Sequence, residues 1–135
     1  MSTGTVFSWP IRVYFQDTDA GGVVYHASYV NFMERARTEW LRSCGYSNAG
    51  LMQAFGMLFV VRSITLEYLK PALLDDILTA TASLQELGRS RLLLRQTIVR
   101  DGVVLTSGVV ELVCVEKESF RPMRIPEVLR GQWVG

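Results

Sequence analysis

Asp17, Asp19, Gly21, Gly22 and His26 fall within one ten-residue run, DTDAGGVVYH, and His26 is the only histidine of the chain. Two carboxylates beside adjacent glycines can ligate a cation, act as a general base or attack as a nucleophile. Calcium is the first chemistry to weigh, because Asp17, Asp19 and Gly22 occupy positions one, three and six of an EF-hand loop. Position five is then Gly21 and position twelve Ser28, where an oxygen ligand and a bidentate Glu belong. Calcium is therefore not expected. Zinc asks for several His or Cys ligands, and one His with cysteines at 44 and 114 forms no ligand-spaced set. With metals set aside, two readings remain: an ordinary Asp-Gly turn, or a site of acid–base or nucleophilic chemistry.

The rest of the chain narrows the partners. At 135 residues it has the length of one ordinary domain, expected to span 1–135, with no composition shift that marks a linker. Fourteen Lys and Arg against thirteen Asp and Glu leave a net charge of +1, so neither nucleic acid nor an anionic membrane is implied. The opening MSTGTVFSWP lacks a basic stretch followed by an apolar one, and runs such as MLFVV are too short to span a bilayer. Cys44 and Cys114 lie in apolar contexts and read as buried free thiols. The expectation is a soluble cytoplasmic protein.

The elements that must position the loop are legible from periodicity. IRVYFQ (11–16) alternates as a half-buried strand does, with Pro10 at its start. From about Ser28 to Cys44, Tyr29, Met33, Ala36, Trp40 and Cys44 recur every three or four residues and form the apolar stripe of a long helix. Glu34, Arg35, Arg37, Glu39 and Arg42 fall largely off that stripe, and Gly45 suits the residue after its C-cap. A connecting stretch follows, then four β-rich runs at 57–69, 76–87, 91–100 and 103–116, with Asp101-Gly102 a strong type I′ hairpin signal. The expected fold class is α+β, an antiparallel sheet with one long helix to cover a face. Apolar residues such as Leu93, Val110 and Val113 are assigned to the other face, where self-association would cover them.

The run DTDAGGVVYHASYVNFMERARTEWLRSCG, after one strand and before four more, resembles the hot-dog-fold acyl-CoA thioesterases of the 4-hydroxybenzoyl-CoA thioesterase type. It is most similar to the branch associated with the bacterial Tol-Pal envelope system, and the resemblance covers roughly Phe7 to Glu118. It implies a five-stranded antiparallel sheet wrapped around a central helix, in a homodimer or homotetramer with active sites at subunit interfaces. It also implies an acyl-CoA substrate, a role in lipid metabolism, and no metal or other cofactor. The family's catalytic carboxylate maps to Asp19, and its main-chain donor at the helix entrance to His26. The segment that holds the CoA nucleotide maps to the GRS turn, with Arg89 matching and Arg91 nearby.

Thioester hydrolysis needs a nucleophile delivered to the carbonyl carbon and a donor for the oxyanion. Asp19 supplies the first, by direct attack or as a base on water, and unpaired amides at a helix N-terminus supply the second. Gly21 and Gly22 leave room for the substrate to approach the backbone. Asp17 reads as a structural turn acceptor, Glu34 and Glu39 as a solvated helix face, and Met52, Phe55, Met57 and Phe59 as acyl-pocket lining or plain core. Two rival functions are a module that binds acyl carrier protein or lipid-synthesis enzymes, and a hydroxyacyl dehydratase. DTDAGG favours hydrolysis over dehydration.

Overall fold

A computed structural model describes residues 5–133 of the chain. β1 (Val6–Arg12) leads through a 3-10 turn at Phe15–Asp17 and a tight loop into α1 (Ser28–Ser43). A short helix α2 (Asn48–Phe55) precedes β2 (Met57–Tyr68), β3 (Ile77–Leu87), β4 (Arg91–Arg100) and β5 (Val103–Glu116), and α3 (Glu127–Trp133) follows. The strands form one antiparallel sheet in the order β1-β3-β4-β5-β2, so β1 and β2 are its edges.

The four strands after the helix lie where the β-rich runs placed them, and both Asp101 and Gly102 adopt positive φ, as a type I′ turn requires. Gly45 takes φ +97° directly after the Cys44 cap of α1. The first strand, however, runs five residues earlier than IRVYFQ suggests and contains Pro10 within it. β1 pairs only with β3, and an edge strand tolerates a residue that cannot donate outward. The chain then leaves the sheet because the Asp17 carboxylate takes the Tyr14 amide at 2.8 Å.

α1 lies over one sheet face and divides the core into two apolar groups. Tyr29, Phe32, Met33 and Ala36 pack with Ile11, Val13, Val24, Leu78, Ala80 and Ile98 at its N-terminal end. Trp40, Leu41 and Cys44 pack with Leu92, Leu94, Leu112, Cys114 and Trp133 at the other, where the Trp40 and Trp133 rings stack at 5.1 Å. Between them sits a polar layer. Arg37 Nη1 donates to Gln96 Oε1 at 3.0 Å, and Gln96 Nε2 donates to the carbonyls of Met33 (3.0 Å) and Thr81 (3.2 Å).

Two assignments of side are corrected here. Val110 belongs to the covered face, fully buried and paired with Leu94, whereas Leu93 and Val113 do face outward. Arg37 is buried under the helix because Gln96 gives it an acceptor there.

Candidate active site

The loop between β1 and α1 is closed by backbone bonds at its base. Asp17 is buried. Its carboxylate caps the turn at Tyr14, while its main-chain oxygen takes the Tyr25 amide at 2.8 Å and the Ser28 hydroxyl at 3.2 Å. Asp17 is thus the structural acceptor expected of it. Thr18 bridges Val24, and Val23 bridges Leu73, leaving Asp19 to Gly22 as an exposed tip. The tip is held by Asp19 N donating to Val23 O at 3.0 Å and Gly22 N donating to Asp19 O at 3.1 Å.

Gly22 takes φ +79°, a conformation that a Cβ would strain. Gly21 N donates to Asp19 Oδ1 at 2.8 Å, and a Cβ on Gly21 would stand 3.3 Å from that same oxygen. Gly21 therefore shapes the Asp19 carboxylate directly, while Gly22 holds the Asp19 main-chain oxygen. Oδ2 of Asp19 accepts nothing among the described residues, so the carboxylate is oriented through one oxygen and open at the other.

The helix entrance is the second half of the arrangement. Ala27, the N-cap of α1, has no side chain with which to cap it. Among the described residues, the amides of His26 and Ala27 meet no acceptor. Unpaired donors at a helix N-terminus carry partial positive charge and suit a developing oxyanion. The imidazole of His26 is exposed, with its ring centroid 4.4 Å from that of Tyr25. Tyr68, at the end of β2, donates its hydroxyl to the His26 carbonyl at 2.9 Å. Beside these residues lies a cleft of about 280 Å³, lined by His26, Tyr29, Tyr68 and Lys70 among others.

A larger cavity of about 350 Å³ opens between α1, α2 and the start of β2. Trp40, Leu41, Met52, Phe59 and Leu112 make it apolar, while Glu34, Arg37 and Thr38 line it from the helix. Met52 and Phe59 thus line a pocket. Met57 is wholly buried in the core instead, and Phe55 packs on the Tyr46 ring at 5.8 Å. Glu34 lines this cavity and is not merely part of a solvated face.

Residues 21–107 match the family model of the thioesterase superfamily. The chain belongs to that superfamily. The thioesterase is 47% identical over 130 residues, covering 96% of each chain, to a protein of Escherichia coli O6:H1 named acyl-CoA thioester hydrolase YbgC. It is 38% identical to the acyl-CoA thioesterase YbgC of Haemophilus influenzae, over 93% of this chain and 92% of that one. Among solved structures, a probable thioesterase from Bartonella henselae superposes with a TM-score of 0.87 at 34% identity, over 90% of this chain and all of that one. A gentisyl-coenzyme A thioesterase superposes at 0.86 with 26% identity, over 95% of this chain and all of that one. The architecture is the hot-dog fold, a five-stranded antiparallel sheet around α1. The family match takes in His26 and all of α1 but begins two residues after Asp19, which the longer pairwise similarities span.

The thioesterase brings Asp19, Gly21, Gly22 and His26 into one loop but places Arg89 and Arg91 at the far end of the sheet. Arg100, at the opposite end of β4 from Arg91, pairs with Asp76 at 2.6 Å beside the Asp19 loop. At about 3.4 Å per residue, β4 alone separates the two ends by about 30 Å. Arg91 is also engaged, with Glu111 at 3.0 Å and Glu86 at 3.1 Å, both of which raise its pKa. Three residues of the site region carried no sequence signal for it. Tyr68 reads as the end of a strand, Ser28 as a helix starter and Lys70 as loop, and only the packing of β2 against the helix entrance unites them. No helix among the described residues is long and apolar enough to cross a membrane.

Proposed function

We propose that this thioesterase hydrolyses acyl-CoA thioesters to the free acid and CoA, as one hot-dog domain. The names of its relatives support the substrate class, and the loop geometry supports the residue roles. The observation that carries the reading is the exposed Asp19 carboxylate, open at Oδ2, in the loop that leads to the unpaired amides of His26 and Ala27.

In this reading the thioester oxygen accepts from the helix-entry amides, which stabilise it as negative charge builds there. Asp19 either attacks the carbonyl carbon, releasing CoA thiolate and leaving a mixed anhydride that water then hydrolyses, or takes a proton from water as water attacks. His26 orients the substrate or the carboxylate through its imidazole. The cavity lined by Met52, Phe59 and Leu112 lies toward the Arg91 end of the sheet, where it would take the acyl chain of substrate bound at another protomer's Asp19 loop. No metal or prosthetic group is required by these steps.

A homodimer or homotetramer is part of the proposal. The twelve-residue edge strand β2 is open on one side, and Leu93 and Val113 face outward from the sheet. Such an assembly is also what would let Arg89 and Arg91 of one protomer meet the CoA nucleotide of substrate bound at another. Acyl carrier protein as an alternative thioester donor, and a cytoplasmic setting, belong to the same proposal.

The deciding experiment is thiol release from acyl-CoAs of increasing chain length, run with wild type and Asp19→Asn together. Asn retains the oxygen that accepts from Gly21 and loses the negative charge. Turnover by wild type with a loss of about a hundredfold or more in the variant is expected. Turnover by Asp19→Asn at the wild-type rate would remove Asp19 from the chemistry, and no turnover of any acyl-CoA by wild type would overturn the hydrolase reading.

A further inference from the structure

The His26–Ala27 peptide unit is contacted on its carbonyl side and bare on its amide side. Tyr68 Oη donates to the His26 oxygen at 2.9 Å, while the Ala27 N–H of the same peptide meets no acceptor among the described residues. A trans peptide is planar, so its C=O and N–H point in opposite directions. Fixing the oxygen therefore fixes the direction of the hydrogen. A hydrogen bond to the carbonyl also draws electron density away from the amide and makes its N–H a stronger donor, as in any hydrogen-bonded chain.

From this we infer that Tyr68 is a positioning residue for thioester hydrolysis: it orients and polarises the Ala27 amide as an oxyanion donor. The inference rests on the hydrolase reading above and extends it to a residue on another element. Tyr68 is itself held in place. Its ring meets Tyr29 edge-on at 5.5 Å and His26 at 6.4 Å, and the Tyr29 hydroxyl accepts from Ala72 N at 3.0 Å. The end of β2, the start of α1 and the segment before β3 are thereby tied around one peptide. Of the neighbouring charges, Arg100 pairs with Asp76 and Arg12 donates to the Asp75 carbonyl at 3.0 Å, while Lys70 lines the same cleft. The hydrogen bond that the His26 carbonyl accepts among the described residues comes from the neutral hydroxyl of Tyr68.

Tyr68→Phe keeps the ring contacts and removes only that hydroxyl. The expected result is a fall of about tenfold in kcat, less than loss of a direct oxyanion donor gives, with KM within about twofold because ground-state binding is hardly touched. In the same variant the Ala27 amide proton resonance should move upfield. Incorporation of 3-fluorotyrosine at position 68, a more acidic phenol, should move that resonance downfield and hold or raise kcat. Wild-type kcat in Tyr68→Phe, a change confined to KM, or an Ala27 resonance indifferent to both substitutions would each overturn the role of Tyr68 while leaving the hydrolase reading intact. Absence of turnover in the wild type would overturn the hydrolase reading itself, and with it this role.

Discussion

The Ser28 hydroxyl, in the first turn of α1, donates to the Asp17 main-chain oxygen at 3.2 Å. The same oxygen receives the Tyr25 amide at 2.8 Å, so the loop that carries Asp19 is fastened at its base to the helix that carries the candidate oxyanion donors. Removing the hydroxyl should loosen one half of the site relative to the other. Ser28→Ala is expected to lose about 1 kcal/mol of stability in urea unfolding, and up to about tenfold in kcat when assayed well below its melting temperature. Unchanged kcat in a destabilised variant would show that the fastening serves the fold alone.

The layer of Arg37 and Gln96 makes an ordered prediction about three variants. Gln96→Leu takes from the buried Arg37 guanidinium its hydrogen-bond acceptor, and losing a hydrogen bond to a charged group costs about 1.5–3 kcal/mol, with Glu34 still beside it. Arg37→Met removes the charge and leaves only a neutral amide oxygen unpaired, at about 1–3 kcal/mol. The double variant should be more stable than Gln96→Leu alone. Denaturant melts of all three measure this, and strictly additive losses would contradict the coupling.

Acid should weaken the site end of the molecule through Asp76. Burial by itself would raise its pKa, but the Leu73 amide and the Arg100 guanidinium outweigh burial and hold it below the ordinary value. A carboxylate depressed in the folded state stabilises above its unfolded pKa of about 3.9, and that contribution drains away as pH falls through the folded value. Urea midpoints should therefore decline below about pH 4, and the decline should be shallower in Asp76→Asn. Equal slopes in the two proteins would mean that other carboxylates carry the acid response.

Cys114 should be silent to thiol reagents in the native protein. Burial pushes its thiol up to about 11, and its Sγ lies 3.5 Å from Met57 Sδ in the core. A thiol whose pKa is raised on folding loses stability for the protein as pH climbs from the unfolded value of about 8.5. Labelling at pH 8 is expected only at the rate of unfolding. Labelling at the rate of a free small thiol would place Cys114 at the surface.

Much of the frame was legible because period and turn chemistry agree locally. The stripe from Tyr29 to Cys44 is buried as spaced, and Asp101-Gly102 turns as its residues demand. α2 and α3 escaped notice because eight and seven residues are too few for a helical period to stand out. Val110 was placed on the wrong face although strict alternation relates it to Leu112 and Cys114, both of which are buried beside it. Asp19, Gly21, Gly22 and His26 share a loop because they are neighbours in sequence. Tyr68 lies 42 residues from His26, and no local pattern encodes a bond formed by an edge strand folding back on a helix entrance.

Gln96 Nε2 reaches Met33 O at 3.0 Å and Thr81 O at 3.2 Å at the same time. Aliphatic contacts survive a slide of an ångström or two, whereas paired hydrogen bonds do not. The amide therefore acts as a detent between helix and sheet: it admits one axial setting of α1, with the next equivalent position a full turn of about 5.4 Å away. The setting it selects determines how far the helix protrudes toward the Asp19 loop. A residue buried in mid-sheet thereby gauges the spacing between the helix entrance and the loop that carries Asp19, the gap that the proposed reaction would use.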